Sequence, residues 1–272
     1  MRVDPVAVTS GDDPRVEDYL QLTDMDLRQR IESDRGFFMA EGHLIIERCA
    51  SLHLPIRSVL TSERWLDRLG QSLDSTDVRV LVADESVLQD ITGYRVHRGA
   101  LAVVSRPAPR TVADVLASER DIQVLEDLVD PTNVGLAVRS AVVQGISAVI
   151  LSPGCADPLY RRAVKSSMGA VLRCRWARSD DWEATLSMLA ENRRLVALTP
   201  DGERDLDDAM REAASDDVAL MVGSEGPGLS PVALVRAGLR CRIPMATPED
   251  SLNVAAATAV ACYSRARARQ DA

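Results

Sequence analysis

Leu220-Met-Val-Gly-Ser-Glu-Gly-Pro-Gly-Leu-Ser230 reads as a buried strand that runs directly into a turn holding three glycines and one carboxylate. Glycines at such a turn let main-chain amides approach a ligand, and Glu225 there is costly unless it is paired or solvated. A simple Gly-Pro turn is the competing account. The run is neither G-x-G-x-x-G after a first strand nor a Walker loop ending in G-K-[ST], so neither a dinucleotide nor a nucleotide triphosphate fingerprint is present.

Working outward from this stretch, the second half of the chain alternates apolar strand runs with helical patterns. IQVLEDLV precedes a helix opened by Asn133, AVILSP precedes PLYRRAVKSSMG, and VLRCRWA precedes a helix from about Asp181 to Arg193. RLVALTP, VALMVGS and LRCRIPM add three more strands, separated by DLDDAMREAA and SPVALVRAG, and a final helix begins at Ser251. Such alternation specifies an α/β fold with a mostly parallel sheet covered by helices on both faces. From Gly36 to about Val104 a smaller α/β pattern stands in front of it, after a polar start, and the proline-marked SRPAPRTVADVLASERD joins the two with one short helix. The expected organisation is a front domain at 1–106, a linker at 107–120 and a second domain at 121–272.

Hydrophobic residues make up 46% of the 272, which suits two packed cores. No run of about 18 apolar residues occurs, and the first residues have neither a basic start nor an apolar signal core, so a cytoplasmic protein without a membrane partner is expected. The five cysteines are scattered, with no C-x-x-C pair and no histidine at ligand spacing. They read as small buried hydrophobes, and no metal is expected.

The net charge of −9 opposes a nucleic-acid partner on its face, but local clustering decides phosphate binding. Every basic residue except Lys165 is arginine, and several bunch: Arg28, Arg30 and Arg35; Arg95 and Arg98; Arg161, Arg162 and Lys165; Arg173, Arg175 and Arg178. Solvated faces and phosphate contacts both fit these runs. Aromatics are 3%, so RNA, if bound, is held by backbone and shape more than by stacked bases.

Two further loops lie at expected strand ends, where open α/β sheets bind ligands. In Asp130-Pro-Thr-Asn-Val-Gly-Leu-Ala-Val-Arg139, Asn133 suits a helix cap and Arg139 lies one turn beyond Gly135. In Ile243-Pro-Met-Ala-Thr-Pro-Glu-Asp-Ser-Leu-Asn-Val254, Ser251 suits the cap of the last helix. Leu252, Ala256, Ala259 and Tyr263 form one face of that helix, and Arg265, Arg267 and Arg269 suit its C-terminal dipole. An ordinary capped helix accounts for each loop taken alone.

Together, in this order, the three loops resemble the signature motifs of the SpoU or TrmH-like branch of the SPOUT methyltransferases: D-P-x-N-x-G-x-x-x-R, G-S-E-G-x-G-L-S, and I-P-M followed by S-L-N-V. The strong resemblance covers about the last 150 residues. Phe38-Met-Ala-Glu-Gly42 and Gly99-Ala-Leu-Ala resemble, more loosely, a ribosomal-protein-like substrate-binding domain often found in front of it.

The resemblance implies a deep trefoil knot, a homodimer with its site assembled across two subunits, and S-adenosylmethionine bent among the three loops. The positions it matches to the cofactor are Thr199, Gly223, Ile243 and Leu252. Those it matches to chemistry are Arg139, Asn133, Glu225, Ser251 and Asn253, for methyl transfer to a ribose 2′-hydroxyl of structured ribosomal or transfer RNA. Arg35, His43, Arg161, Arg162 and Lys165 are the expected RNA contacts. Tyr94-Arg-Val-His-Arg-Gly99 departs from the Gln-Gly common there in the family, and His97 is given no catalytic role.

Three rivals stay on the page. A non-catalytic RNA-binding protein of the same modules would not need Arg139 or the S-L-N run. A methyltransferase acting on a base nitrogen or a small molecule is the second, and the combination of Asn133, Arg139 and Asn253 resembles the ribose-methylating branch instead. An oxidoreductase would need the absent first-strand glycine fingerprint.

Overall fold

The structure is a computed structural model, and it describes residues 5–73, 78–96, 99–247 and 251–272. His97 and Arg98 lie outside the described residues. The chain divides into two compact units, Met1–Ala108 with Leu159–Leu172, and Pro109–Pro158 with Arg173–Ala272.

In the first unit, β1 (Pro5–Ala7), α1 (Met25–Asp34), β2 (Phe37–Glu41), α2 (His43–Ser51), β3 (Ile56–Thr61), α3 (Leu66–Leu73), β4 (Arg79–Val82), α4 (Glu85–Thr92) and β5 (Ala100–Ser105) follow in sequence. They form a five-stranded mixed sheet in the order β1-β4-β3-β5-β2. Strands β1, β3 and β4 are parallel, and β5 runs antiparallel to both β3 and β2. Phe37, Met39, Leu60, Leu81, Leu101 and Val103 fill its core. The polar start thus contributes a strand and a helix. Helix α1 escapes a search for apolar stripes because its buried face carries Arg28 and Glu32, paired one turn apart at 3.0 Å.

The second unit opens with α5 (Val112–Leu116), held by a Thr111–Asp114 capping box. Next come β6 (Ile122–Leu125), α6 (Pro131–Val143) and β7 (Ala148–Leu151). The following segment, Leu159–Leu172 with α7 (Arg161–Ser166), packs in the first unit. The chain returns through β8 (Arg175–Arg178), α8 (Trp182–Asn192), β9 (Arg194–Leu198), β10 (Arg204–Asp205), α9 (Leu206–Glu212), β11 (Val218–Val222), α10 (Pro231–Arg236), β12 (Leu239–Arg242) and α11 (Val254–Gln270). The expected strand VLRCRWA is in fact a 3-10 turn over Ala170–Arg173, with only Arg175–Arg178 extended.

All seven strands are parallel, in the order β10-β12-β9-β11-β6-β7-β8. Strand β11 shows why its apolar run has no polar alternation. Ala219 and Met221 pack with Leu186 and Leu189 of α8, while Val218 and Leu220 pack with Met210 of α9 and Ala261 and Cys262 of α11. Both faces are therefore dry.

Helix α11 buries Val254, Ala255, Thr258, Ala261, Cys262, Arg265 and Ala268, and it packs on α6 and α9. Leu252, Ala256 and Tyr263 of the expected packing face are exposed instead. Small residues on both sides give no contrast from which to choose a face. Arg265 sits on the buried side because Asp121 meets its guanidinium there at 2.9 Å, so Arg265 serves as an anchor more than as a dipole partner.

Candidate active site

The loop from Gly223 to Leu229 leaves β11 at the carboxyl end of the sheet and folds back on itself. Ser224 bridges Gly228, whose N–H donates to the Ser224 carbonyl at 3.1 Å. A Cβ built on Gly223 would lie 2.2 Å from the Gly228 carbonyl carbon, so no larger residue fits this crossing. Gly226 and Gly228 take φ of 87° and 72°, a region in which glycine is favoured.

Glu225 sits in this loop and receives two amide donors: Asn133 Nδ2 at 3.0 Å and Asn253 Nδ2 at 2.5 Å. Asn253 Nδ2 also approaches Asn133 Oδ1 at 3.3 Å. Residues 92 and 28 positions away in sequence thus meet on one carboxylate, joining all three loops. The paired and solvated Glu225 no longer carries the cost of an isolated charge.

Two capping roles differ from expectation. Asp130 caps α6, its side chain accepting from the Thr132 N–H with Pro131 at the first helical position, so Asn133 lies inside the first turn with its amide free to reach Glu225. Asn253 caps α11 by accepting from the Ala255 N–H at 2.9 Å, and Ser251 precedes it in the loop.

Beside this cluster lies a cavity of about 900 Å³. Thr199, Gly223, Ile243 and Leu252 all line it, with Ser251, Glu225 and Asn253 at its wall. Much of its surface is apolar, from Leu198, Val222, Ile243, Leu252 and Ala257, and glycine main chain supplies polar groups. That lining suits a flat heterocycle with a sugar. Sequence reasoning missed Asp201, Asp205, Arg242 and Met245 on the same wall. Arg242 pairs with Asp205 at 2.8 Å and donates to the Gly202 carbonyl at 2.6 Å, fixing that rim. The T-P-D-G run after β9 that yielded Thr199 was the available signal for Asp201.

Arg139 is exposed on α6, does not line this cavity, and has no hydrogen bond or ion pair among the described residues. Within one chain the structure therefore brings together Asn133, Glu225, Ser251 and Asn253, but not Arg139.

The expected RNA contacts all fall in the first unit. Arg35 is paired with Glu17 at 2.6 Å and Asp18 at 2.9 Å. His43 stacks on Trp65, with centroids 5.1 Å apart. Arg161 meets buried Glu41 at 2.7 Å, donates to the Leu22 carbonyl and covers the Tyr94 ring, and Lys165 also reaches Glu41. Burial alone would raise the Glu41 carboxyl, but the Lys165 hydrogen bond and the charges of Arg161 and Lys165 hold it below its ordinary value. Arg162 is exposed and has no such partner among the described residues.

The five cysteines are buried thiols, and burial pushes Cys49, Cys174, Cys241 and Cys262 up to about 12, which leaves them poor nucleophiles at neutral pH. Among the described residues no cluster has the makings of a metal site, and no helix is long and apolar enough to cross a membrane.

Residues 122–263 match the family described as the SpoU rRNA Methylase family. The chain is 38% identical over 262 residues to an uncharacterized tRNA/rRNA methyltransferase of Mycobacterium tuberculosis, covering 96% of this chain and 91% of the relative. It is 23% identical over 256 residues to the 23S rRNA (guanosine(2553)-2′-O)-methyltransferase RlmP of Bacillus subtilis, covering 94% and 97%. Among solved structures, the AdoMet-bound rRNA methyltransferase of Sinorhizobium meliloti superposes with a TM-score of 0.81 at 27% identity, over 97% of this chain and 98% of that one.

Proposed function

Because the chain belongs to the SpoU rRNA methylase family, we propose that it transfers the methyl group of S-adenosylmethionine to a ribose 2′-hydroxyl of ribosomal or transfer RNA. The observation that carries this reading is that Asn133 and Asn253 meet on Glu225, with Glu225 and Asn253 at the wall of the cavity. Thr199, Gly223, Ile243 and Leu252 would hold the cofactor, through main chain and apolar contact. When bound, S-adenosylmethionine supplies an electrophilic methyl carbon, and direct displacement there needs no covalent enzyme intermediate. The buried, unreactive thiols suit such a route.

Asn133 and Asn253 fix Glu225 and with it the loop, and Ser251 offers a hydroxyl at the cavity wall. Arg139 serves as a planar donor to the oxygen that becomes an alkoxide. Acting as a base would require a guanidinium to lose its proton near neutral pH, far below the range in which guanidinium groups titrate, which is costly. A phosphate or water therefore carries the proton.

Arg139 neither lines its own chain's cavity nor bonds to the Glu225 cluster, and it serves the site of a second subunit. The exposed Val143 of α6 and Val260 and Tyr263 of α11, 68%, 41% and 56% accessible, give these two packed helices apolar surface for a two-fold partner. Of the five expected contacts, Arg162 is exposed without a hydrogen-bond or ion-pair partner among the described residues and offers its charge to RNA phosphate, with Arg35, Arg161, Lys165 and His43 shaping the surface around their own partners. An RNA substrate of this kind supports the cytoplasmic setting we infer for the protein.

Incubation of the protein and labelled S-adenosylmethionine with ribosomal subunits and with transfer RNA, followed by digestion to nucleosides, is expected to yield a 2′-O-methylated nucleoside. A base-methylated product, or none from either RNA, rejects the reading. Gly223→Ala is expected to weaken S-adenosylmethionine binding by about tenfold or more in calorimetry, equivalent to about 1.4 kcal/mol, because the new Cβ meets the Gly228 backbone. An unchanged affinity would remove Gly223 from the site.

A further inference from the structure

Glu126 is 2% exposed at the end of β6, and no basic side chain pairs with it among the described residues. Its backbone reaches one end of the cofactor loop, and its carboxylate reaches the other end and Trp182. The Glu126 N–H donates to the carbonyl of Val222, the last residue of β11, at 2.9 Å. Its Oε2 accepts from the Ser230 N–H at 2.9 Å, and its Oε1 accepts from the Ser230 hydroxyl at 2.7 Å and from the Trp182 indole N–H. Ser230 Oγ in turn accepts from the Ala233 N–H at 3.2 Å, capping α10.

We propose that Glu126 is a positioning residue for S-adenosylmethionine binding, a clamp that holds both ends of the Gly223–Leu229 loop at a fixed separation. Burying a carboxylate among neutral donors is costly, and a neutral core pair would serve packing as well. What the carboxylate adds is acceptor capacity on both oxygens at once, which an amide lacks: a Gln at 126 would turn its NH2 group against either the Ser230 N–H or the donors at Oε1. With the base released, Gly223 and Gly228 lose their close crossing, and the cavity wall they form loosens.

The proposal rests on the cavity being the S-adenosylmethionine site, so two readouts are needed, one of them free of ligand. In Glu126→Gln, amide hydrogen exchange of Ser224–Leu229 in the ligand-free protein is expected to quicken about tenfold or more, with β11 still protected. S-adenosylmethionine affinity measured by calorimetry falls about tenfold. Ser230→Ala, which removes one of the loop-side donors, shows a smaller change in the same direction, about threefold in affinity. Trp182→Phe removes the donor outside the loop and stays within about twofold of wild type on both readouts.

Unchanged loop exchange in folded Glu126→Gln overturns the clamp, as does a Trp182→Phe effect equal to that of Glu126→Gln, since then the carboxylate merely supports the core. If Glu126→Gln does not fold, Ser230→Ala set against Trp182→Phe decides by the same criteria. A wild-type protein that binds no S-adenosylmethionine rejects the cofactor-site reading, while the exchange pattern still decides whether Glu126 clamps the loop.

Discussion

Arg139→Ala is expected to lower kcat for RNA methylation by about 10²- to 10³-fold, the usual loss when one donor to a developing oxyanion is removed. S-adenosylmethionine affinity should stay at the wild-type value, because the proposed role of Arg139 is toward the RNA oxygen as it becomes an alkoxide and not toward the cofactor. Arg139→Lys should also be impaired, since a single ammonium does not reproduce the planar fork. Full turnover by the Lys variant with unchanged RNA affinity would eliminate the donor role. Mixing Arg139→Ala with Asn133→Ala subunits separates a shared site from a site within one chain. If each site takes its arginine from the other subunit, half of randomly paired dimers regain one intact site, and activity returns to about a quarter of wild type. No recovery after verified subunit exchange means that the arginine acts in its own chain.

Arg265→Ala is expected to destabilise the second unit by about 3 kcal/mol in urea unfolding, at the lower end for breaking a buried pair. The guanidinium is 1% exposed and spends its donors on Asp121, the Ala213 carbonyl at 2.7 Å and the Asp216 carbonyl at 2.6 Å. Asp121 also accepts from the Val218 N–H, tying α11 to the start of β11, and once Arg265 is gone its remaining ion pair is the longer one to Arg269 at 3.3 Å. Replacing both partners with apolar residues should cost less than removing Arg265 alone, since no buried charge is then stranded. A loss below about 1 kcal/mol for the single variant would reduce the pair to an ordinary surface bridge.

The parallel sheet was readable because runs such as VALMV are covered on both faces and so carry no polar positions. Helix α1 was not, because a buried ion pair interrupts its apolar face. The α6 cap was open to a better reading: Asp130 directly before Pro131 is the stronger start signal, and it frees Asn133 for the site. The buried side of α11 had no local signal, since alanines lie all round it and its largest buried group is an arginine whose partner, Asp121, is 144 positions away. At the site, order and spacing pointed to the three loops, but the bonds of Asn133 and Asn253 to Glu225 are long-range and leave no local pattern. The pairing within the basic runs is hidden for the same reason. Arg161 and Lys165 look free in sequence, and their partner Glu41 sits 120 and 124 positions earlier.

Asn253 leaves the ribosome after every strand of the sheet has been made. A nascent chain halted before that point carries the whole β-layer and both ends of the Gly223–Leu229 turn, yet nothing reaches Glu225 from the far side and no terminal helix has docked on α6. In such a chain the Glu225 carboxylate lacks its Asn253 donor, so the cluster that joins the three loops closes only after the whole sheet has been made.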